Sequence, residues 1–121
     1  MPKLTEKQVL ALRGKADIIV ESLPEEMQIE GNCSAIDPET DRATEEHIRA
    51  ELENGNEWAW CGVKVTLKYG NFEGTDYLGA CSYKSKADFI ESGGYFPDMV
   101  DRAFDELVAQ INAAQEAIEG I

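Results

Sequence analysis

The sequence predicts an α+β fold, with a small antiparallel sheet built on a central β-hairpin, about four helices packed on one face of it, and a long C-terminal helix. Three observations support this. Apolar residues recur at helical spacing between Val100 and Ile118, they alternate with polar ones from residue 57 to 69, and turn residues follow at 70–74. The length of 121 residues predicts a single domain over 1–121.

The chain begins with a capping-box pattern, in which Thr5 caps a first turn and Gln8 reaches back to it. A helix from about residue 5 to Ser22 is expected, ended by Pro24. The apolar residues at helical spacing are Val9, Leu12, Ala16, Ile19 and Leu23. Residues 27–33, MQIEGNC, are expected to form a short strand.

A second helix is predicted within AIDPETDRATEEHIRAELENGN, residues 35–56. Asp41 or Thr44 is expected to cap it, and Asn54-Gly55 to end it with a left-handed turn. Its apolar stripe is narrow, with Ile48 and Leu52 as clear members. Such a helix lies at the surface and exposes most of its acidic side chains.

The hairpin begins at Glu57, where the period becomes two, and GNFEG at 70–74 predicts its turn. A tight closure over Asn71 would place Cys61 opposite Cys81, Val63 opposite Gly79 and Val65 opposite Tyr77. Gly79 is expected to make room for a bulky neighbour.

Two further helices are predicted after the hairpin. Ser85 is expected to cap KADFIES, which Gly93-Gly94 would close, and Pro97 suits the first turn of the final helix. The apolar stripe of this last helix comprises Val100, Phe104, Leu107, Val108, Ile111, Ala114 and Ile118.

Trp58 and Trp60 fall on the strand face opposite the aliphatic residues. If that face is solvated, the two side chains form an exposed aromatic surface for a partner. If the first helix or its flanking loop covers them, they belong to a second small core. Burial is favoured because Trp is mostly buried in proteins.

Composition indicates a soluble protein of the cytoplasm. No apolar run approaches the ~20 residues that a membrane span requires, and MPKLTEKQVLALRGK has no signal-peptide pattern. The chain is therefore expected to have no membrane partner. In the reducing cytoplasm, Cys33, Cys61 and Cys81 are expected to be free thiols.

The residues predict no enzyme, cofactor or metal site. His47 is the one histidine, on an acidic helix, and no nucleophile or phosphate-binding motif is present. Cys33, Cys61, Cys81 and His47 would suit zinc chemically, but none forms the close Cys pair usual in zinc sites. DPETD at 37–41 lacks the Gly and Glu that a calcium loop requires.

The net charge of −13 is the strongest feature of the composition. Segments 21–36, 37–57 and 87–121 carry −4, −6 and −7, and the rest is weakly positive. This charge opposes direct binding of nucleic acid and favours a partner with a basic surface, although solubility alone also accounts for an acidic protein.

Four segments, GNCSAIDPETDRATEEHI, NGNEWAWCGVKV, DYLGACSYKS and GGYFPDM, resemble a group of small proteins encoded by tailed phages and plasmids. The resemblance covers roughly residues 31–107, and WAWC followed by LGACSY is its most specific part. No activity is established for that group. The resemblance implies a gene of a mobile element whose product acts in the cytoplasm of a bacterial host cell.

Charge and context together predict a non-enzymatic binding protein that acts on a host protein with a basic surface. A DNA mimic that inhibits a restriction enzyme, a CRISPR effector or another nucleic-acid-binding protein is the sharpest form of this hypothesis. The acidic residues expected at the interface are Asp37, Glu39, Asp41, Glu45, Glu46, Glu51, Glu53 and Glu57, with Asp98, Asp101 and Asp105 as further candidates. The alternative is a small-ligand or structural module that uses the Trp58 and Trp60 hairpin. A monomer and a homodimer both remain open.

Overall fold

A computed structural model of the chain describes residues 3–33, 37–92 and 94–121. Its elements are helix α1 (Glu6–Lys15), strand β1 (Asp17–Leu23), helix α2 (Pro38–Glu53), a 3₁₀ turn (Glu57–Ala59), strands β2 (Cys61–Tyr69) and β3 (Phe72–Cys81), and helices α3 (Lys86–Ser92) and α4 (Phe96–Glu119). The strands of this described part form an open antiparallel sheet in the order β1-β2-β3. The predicted α+β class is confirmed.

The first helix is shorter than predicted. The capping box of Thr5 and Gln8 is present, but the helix ends at Lys15 and Ala16 is already extended, with φ −68° and ψ 136°. Asp17–Leu23 forms β1 instead of the last helical turns. The run Ile18-Ile19-Val20 explains this, because β-branched side chains lose freedom in a helix and pack well on a strand.

Two further expectations near α2 are wrong. Residues 27–33 form turns and bends and no strand, with Asn32 N–H donating to the Ile29 carbonyl. The cap of α2 is Asp37, ahead of the expected Asp41 or Thr44, because Pro38 occupies the first turn where its missing N–H costs nothing. At the other end the expected left-handed turn is present, with Gly55 at φ 91°.

The hairpin closes through the two residues Gly70 and Asn71, which separate β2 from β3. This turn shifts the register by one residue from the predicted one, so Val65 and Tyr77 do not face each other. Val65 is fully buried while Tyr77 is 60% exposed. Ala80 is left-handed at φ 53°, and the residue after it, Cys81, is buried, as Cys61 is on β2.

The helices after the hairpin follow the prediction. Ser85 Oγ accepts from the N–H of Asp88, 3.1 Å away, as a cap of α3. Gly94 is left-handed at φ 72°, while Gly93 lies outside the described residues. A proline stands in the first turn of α4. In the described part of the chain, no helix combines the length and apolarity needed to cross a membrane.

The chain divides into two compact units. Unit 1 comprises Met1–Val20, Lys64–Asp76 and Tyr95–Ile121, and unit 2 comprises Glu21–Val63 and Tyr77–Gly94. Each has its own buried apolar side chains. In unit 1 they include Leu12, Val65, Leu67, Met99, Phe104, Leu107 and Ile111, and in unit 2 Ile48, Trp58, Trp60, Val63 and Phe89.

Candidate functional site

Most of the negative charge lies in unit 2. Its segment 21–63 has twelve acidic residues and two arginines, and its segment 77–94 has two residues of each sign. Unit 2 therefore carries −10 of the net charge of −13. The two acidic segments 21–36 and 37–57 therefore lie in the same compact unit. Helix α2 carries more of their exposed acidic residues than any other element does.

Two of the predicted interface carboxylates also form hydrogen bonds within unit 2. Asp37 accepts hydrogen bonds from the N–H and the hydroxyl of Thr40, at 2.8 and 2.9 Å. These bonds favour the ionised form and hold the pKa of Asp37 below its usual range. Glu45 accepts from the N–H of Gly31, 3.2 Å away, and so ties α2 to the preceding loop.

Two more of the predicted carboxylates lie toward the inner side of α2. Asp41 and Glu51 are half-buried, on the side of the helix that carries the buried Ile48. Glu51 also lies 3.8 Å from Nε2 of His47, one helical turn away. An exposed contact of this kind contributes little stability. Asp41 and Glu51 are therefore less exposed than Glu39, Glu46 and Glu53.

Three carboxylates remain on the solvent side of α2. Glu39, Glu46 and Glu53 are exposed and seven residues apart, so they follow one line along the helix at intervals of about 10.5 Å. We call these three residues the acidic ridge. Within the described residues none of them forms an ion pair. Glu57, also exposed, follows in the 3₁₀ turn.

The predicted acidic face is therefore not uniform. Arg42 and Arg49 stand three or four residues from Glu46, beside the ridge, and Arg49 is paired with Glu30. The ridge carries one charge per about 10.5 Å, whereas duplex DNA carries one per about 1.7 Å of its axis. The additional candidates Asp98, Asp101 and Asp105 belong to unit 1, where Asp101 pairs with Arg13 at 2.6 Å.

The tryptophans are buried, as the sequence analysis favoured, so they belong to a small core and do not form the exposed aromatic surface that was the other possibility. Trp58 is 7% and Trp60 9% exposed. Strand β2 begins only at Cys61, and the 3₁₀ turn directs Trp58 to Phe89, with ring centroids 5.9 Å apart. Nε1 of Trp60 donates to the carbonyl of Met27, 2.7 Å away, which satisfies its buried donor.

Trp60 nevertheless lines two cavities of unit 2. One of about 280 Å³ lies beside α2 and includes Cys33, Thr44 and Ser82 in its wall. The other, of about 200 Å³, includes Leu52 and Glu57. Both cavities are smaller than most ligand pockets, which usually measure about 300–1,000 Å³. Either one could therefore hold only a small ligand.

His47 lines a third cavity of unit 2, of about 220 Å³, which the sequence analysis missed. Glu51 of α2, Lys84 and Asp88 contribute charged groups to its wall. Asp88 accepts from the N–H of Lys84, 3.0 Å away, so this carboxylate already serves the local turn. No sequence signal identifies the cavity, because its lining residues come from segments about forty positions apart.

Cys33, Cys61 and Cys81 are free thiols, and the two buried ones, Cys61 and Cys81, have little nucleophilic character. Burial, followed by the charges of Cys81, Glu57 and Glu25, raises the pKa of Cys61 to about 12. Burial and then Glu25 raise the pKa of Cys81 to about 11. In the residues that the structure describes, no three His, Cys, Asp or Glu side chains come together as a metal site would require.

Comparisons with protein-family models, with curated proteins and with solved structures found no match to this chain.

Proposed function

We propose that this protein is a non-enzymatic binding protein whose acidic ridge contacts a basic surface of a partner protein. The observation that carries the proposal is the concentration of −10 net charge in unit 2, with Glu39, Glu46 and Glu53 exposed along one side of α2. Carboxylates that stabilise the fold are separate from these three. Attraction between this acidic ridge and a basic surface of the partner would accelerate association and favour that partner over others.

The ridge is held in place before any partner arrives. Asp37 caps the start of α2, Ile48 anchors its inner side with 3% exposure, and Glu45 fixes it to the loop at Gly31. A helix that is already ordered loses little conformational entropy on binding, so more of the electrostatic attraction appears as affinity.

The partner that we propose is a host protein with a nucleic-acid-binding surface. The resemblance to proteins of phages and plasmids supports this context and a role in the bacterial cytoplasm. In the stricter form of the proposal the protein mimics DNA and inhibits a defence enzyme. The ridge spacing is wider than that of phosphates, so such mimicry would also draw on other exposed acids of unit 2, including Glu26 and Glu57.

The test is a pull-down from a bacterial host lysate with tagged protein, followed by binding measurements on each recovered partner. A matched pair of variants separates location from total charge. The ridge variant combines Glu39→Gln, Glu46→Gln and Glu53→Gln, and the control combines Glu6→Gln, Glu73→Gln and Glu116→Gln, which are exposed residues of unit 1. Both variants change the net charge by the same amount.

The proposal predicts a partner that binds tightly at about 50 mM salt and much more weakly at about 200 mM. The ridge variant should lose affinity while the control retains it, and duplex DNA should compete if the partner site is a nucleic-acid cleft. Equal losses in the two variants would show that only total charge matters. Retained binding by the ridge variant would contradict the proposal.

A small-ligand role is the second candidate. The observation in its favour is that Trp60 lines cavities of about 280 and 200 Å³ in unit 2. A ligand there would change Trp60 fluorescence and respond little to salt, because an aromatic pocket does not depend on long-range charge. Salt dependence of binding therefore separates the two functions.

A further inference from the structure

Unit 1 contains a cavity of about 310 Å³ that the acidic ridge does not involve. One wall is formed by Leu4 and the side of α1 that follows it, where Gln8, Leu12 and Lys15 recur at helical spacing. The opposite wall includes Tyr69 and Phe72, at the two ends of the hairpin turn, and Ile111 of α4.

Ala11, a small side chain of α1, also lines the cavity. Two contacts hold α1 beside α4. The N–H of Leu4 donates to Oδ1 of Asn112, 2.9 Å away, and Arg13 pairs with Asp101 at 2.6 Å while it lies over the Phe104 ring at 4.9 Å. The walls are therefore formed without a ligand, as is usual for small-molecule sites.

The chemistry of the lining is unusual for this protein, since it contains a cation and no carboxylate. Lys15 is exposed, and no carboxylate of the described residues lies within ion-pair distance of it. Arg13, by contrast, is already paired. Gln8 uses its Oε1 to accept from the N–H of Thr5, which leaves its amide N–H groups as donors, and Tyr69 adds a hydroxyl.

We propose that this cavity binds an amphipathic monoanion. Its apolar body, a pair of rings or a short acyl chain, packs on Leu12, Phe72 and Ile111, and its carboxylate or sulfonate group pairs with Lys15. The volume is at the lower end of the range for ligand pockets, which limits the ligand to this size. The net charge of −13 repels anions in general, so an anion that binds here must be held by a specific site.

The test uses two fluorescent probes with the same aromatic body, 8-anilinonaphthalene-1-sulfonate and uncharged N-phenyl-1-naphthylamine. The anionic probe should bind folded protein at one site and more tightly than the uncharged probe. Lys15→Gln should weaken the anionic probe by up to about fivefold and leave the uncharged probe unchanged. Lys7→Gln, an exposed lysine of α1 that does not line the cavity, is the control.

A cavity-filling variant tests the location. Ala11→Phe should abolish binding of both probes, with Ala43→Phe on the exposed side of α2 as its control, and circular dichroism establishes that each variant is folded. Because Lys15→Gln changes only an exposed side chain, it remains informative if Ala11→Phe does not fold. No anionic binding by the folded protein, or equal losses in Lys15→Gln and Lys7→Gln, would overturn the proposal. Equal binding of the two probes would assign an apolar docking surface instead.

Discussion

The carboxylate of Glu25 accepts a hydrogen bond from the backbone N–H of Ala80, a residue held in the left-handed conformation at φ 53°. The neighbouring Gly79 leaves room for this contact, because a Cβ at that position would lie 3.2 Å from the same carboxylate oxygen, closer than most Cβ contacts. A side chain thus satisfies a backbone N–H of β3 next to the buried Cys81.

The Glu25 contact should contribute measurably to stability. Glu25→Ala leaves the half-buried Ala80 N–H without its acceptor, and we expect a loss of about 1–3 kcal/mol in the free energy of unfolding. Glu25→Gln keeps an oxygen acceptor and should lose less. Ala80→Gly removes the left-handed penalty and should raise stability by up to about 1 kcal/mol. Urea unfolding measures all three, and an unchanged midpoint for Glu25→Ala would contradict the assignment.

At Gly74 the backbone of α4 lies directly against β3. A Cβ there would overlap the carbonyl group of Ala103 and the N–H of Leu107, both backbone groups that no rotamer change can move. Gly74→Ala is therefore expected to cost about 3 kcal/mol or more.

Gly14→Ala is the matched control for that substitution. Gly14 lies within α1, its φ is not positive, and nothing stands within 4 Å of its Cβ position. The same change should stabilise the protein by about 0.5–1 kcal/mol through helix propensity. The midpoints of thermal or urea unfolding should therefore shift in opposite directions in the two variants. An unchanged midpoint for Gly74→Ala would show that α4 can move away from β3.

The sequence predicted those elements in which a pattern repeats often enough. Helix α4 has 24 residues, so its apolar residues fit only the helical period, and Val100, Phe104, Leu107 and Ile111 of the predicted stripe are buried. Met99 and Ala103 are also buried, whereas Ile118, near the end of the helix, is 70% exposed. Strand β1 has 7 residues, and over so short a span Ile19 and Leu23 fit a helical spacing as well as a strand. The β-branched run at 18–20 was the better signal there.

The candidate site was predictable only in its charge. The sequence shows that residues 37–57 are acidic, but the phase of a helix depends on its first residue, and Asp37 rather than Asp41 caps α2. Which acids serve the fold also depends on distant partners, such as Gly31 for Glu45. Both the cap and these partners are known only from the folded structure. The spacing of acidic residues in the sequence therefore could not separate the structural carboxylates from the acidic ridge.

The cap of α2 should make the helix sensitive to acid. Hydrogen bonds lower the pKa of Asp37 below 3.8, so the folded state is stabilised above that pH, and this contribution is lost as pH falls through the lower, folded value. Asp37→Asn still accepts from the Thr40 N–H but no longer titrates. We expect similar helicity for both proteins near neutral pH and a flatter acid response for Asp37→Asn. Urea unfolding followed by circular dichroism at a series of acid pH values tests this, and parallel curves would contradict it.

The buried thiols should make the protein sensitive to alkali. Their unfolded pKa is 9.0, whereas burial raises the folded values to about 12 for Cys61 and about 11 for Cys81. Between pH 9 and these values the unfolded state ionises and the folded state does not, so stability is fully present below about pH 9 and falls as the pH rises.

The measurement is the urea midpoint as a function of pH, compared between the protein and the double variant Cys61→Ala/Cys81→Ala. The double variant should be less stable near neutral pH, because it leaves two small cavities, but its midpoint should fall less steeply above about pH 9. Cys33→Ala, which changes the half-buried thiol, should retain most of the slope.

The thiols should also differ in reactivity. A disulfide reagent at about pH 8 should modify Cys33 in the folded protein and reach Cys61 and Cys81 only on unfolding, because the thiolate is the reacting form. Rapid modification of all three in the folded state would show that unit 2 opens far more readily than its burial indicates.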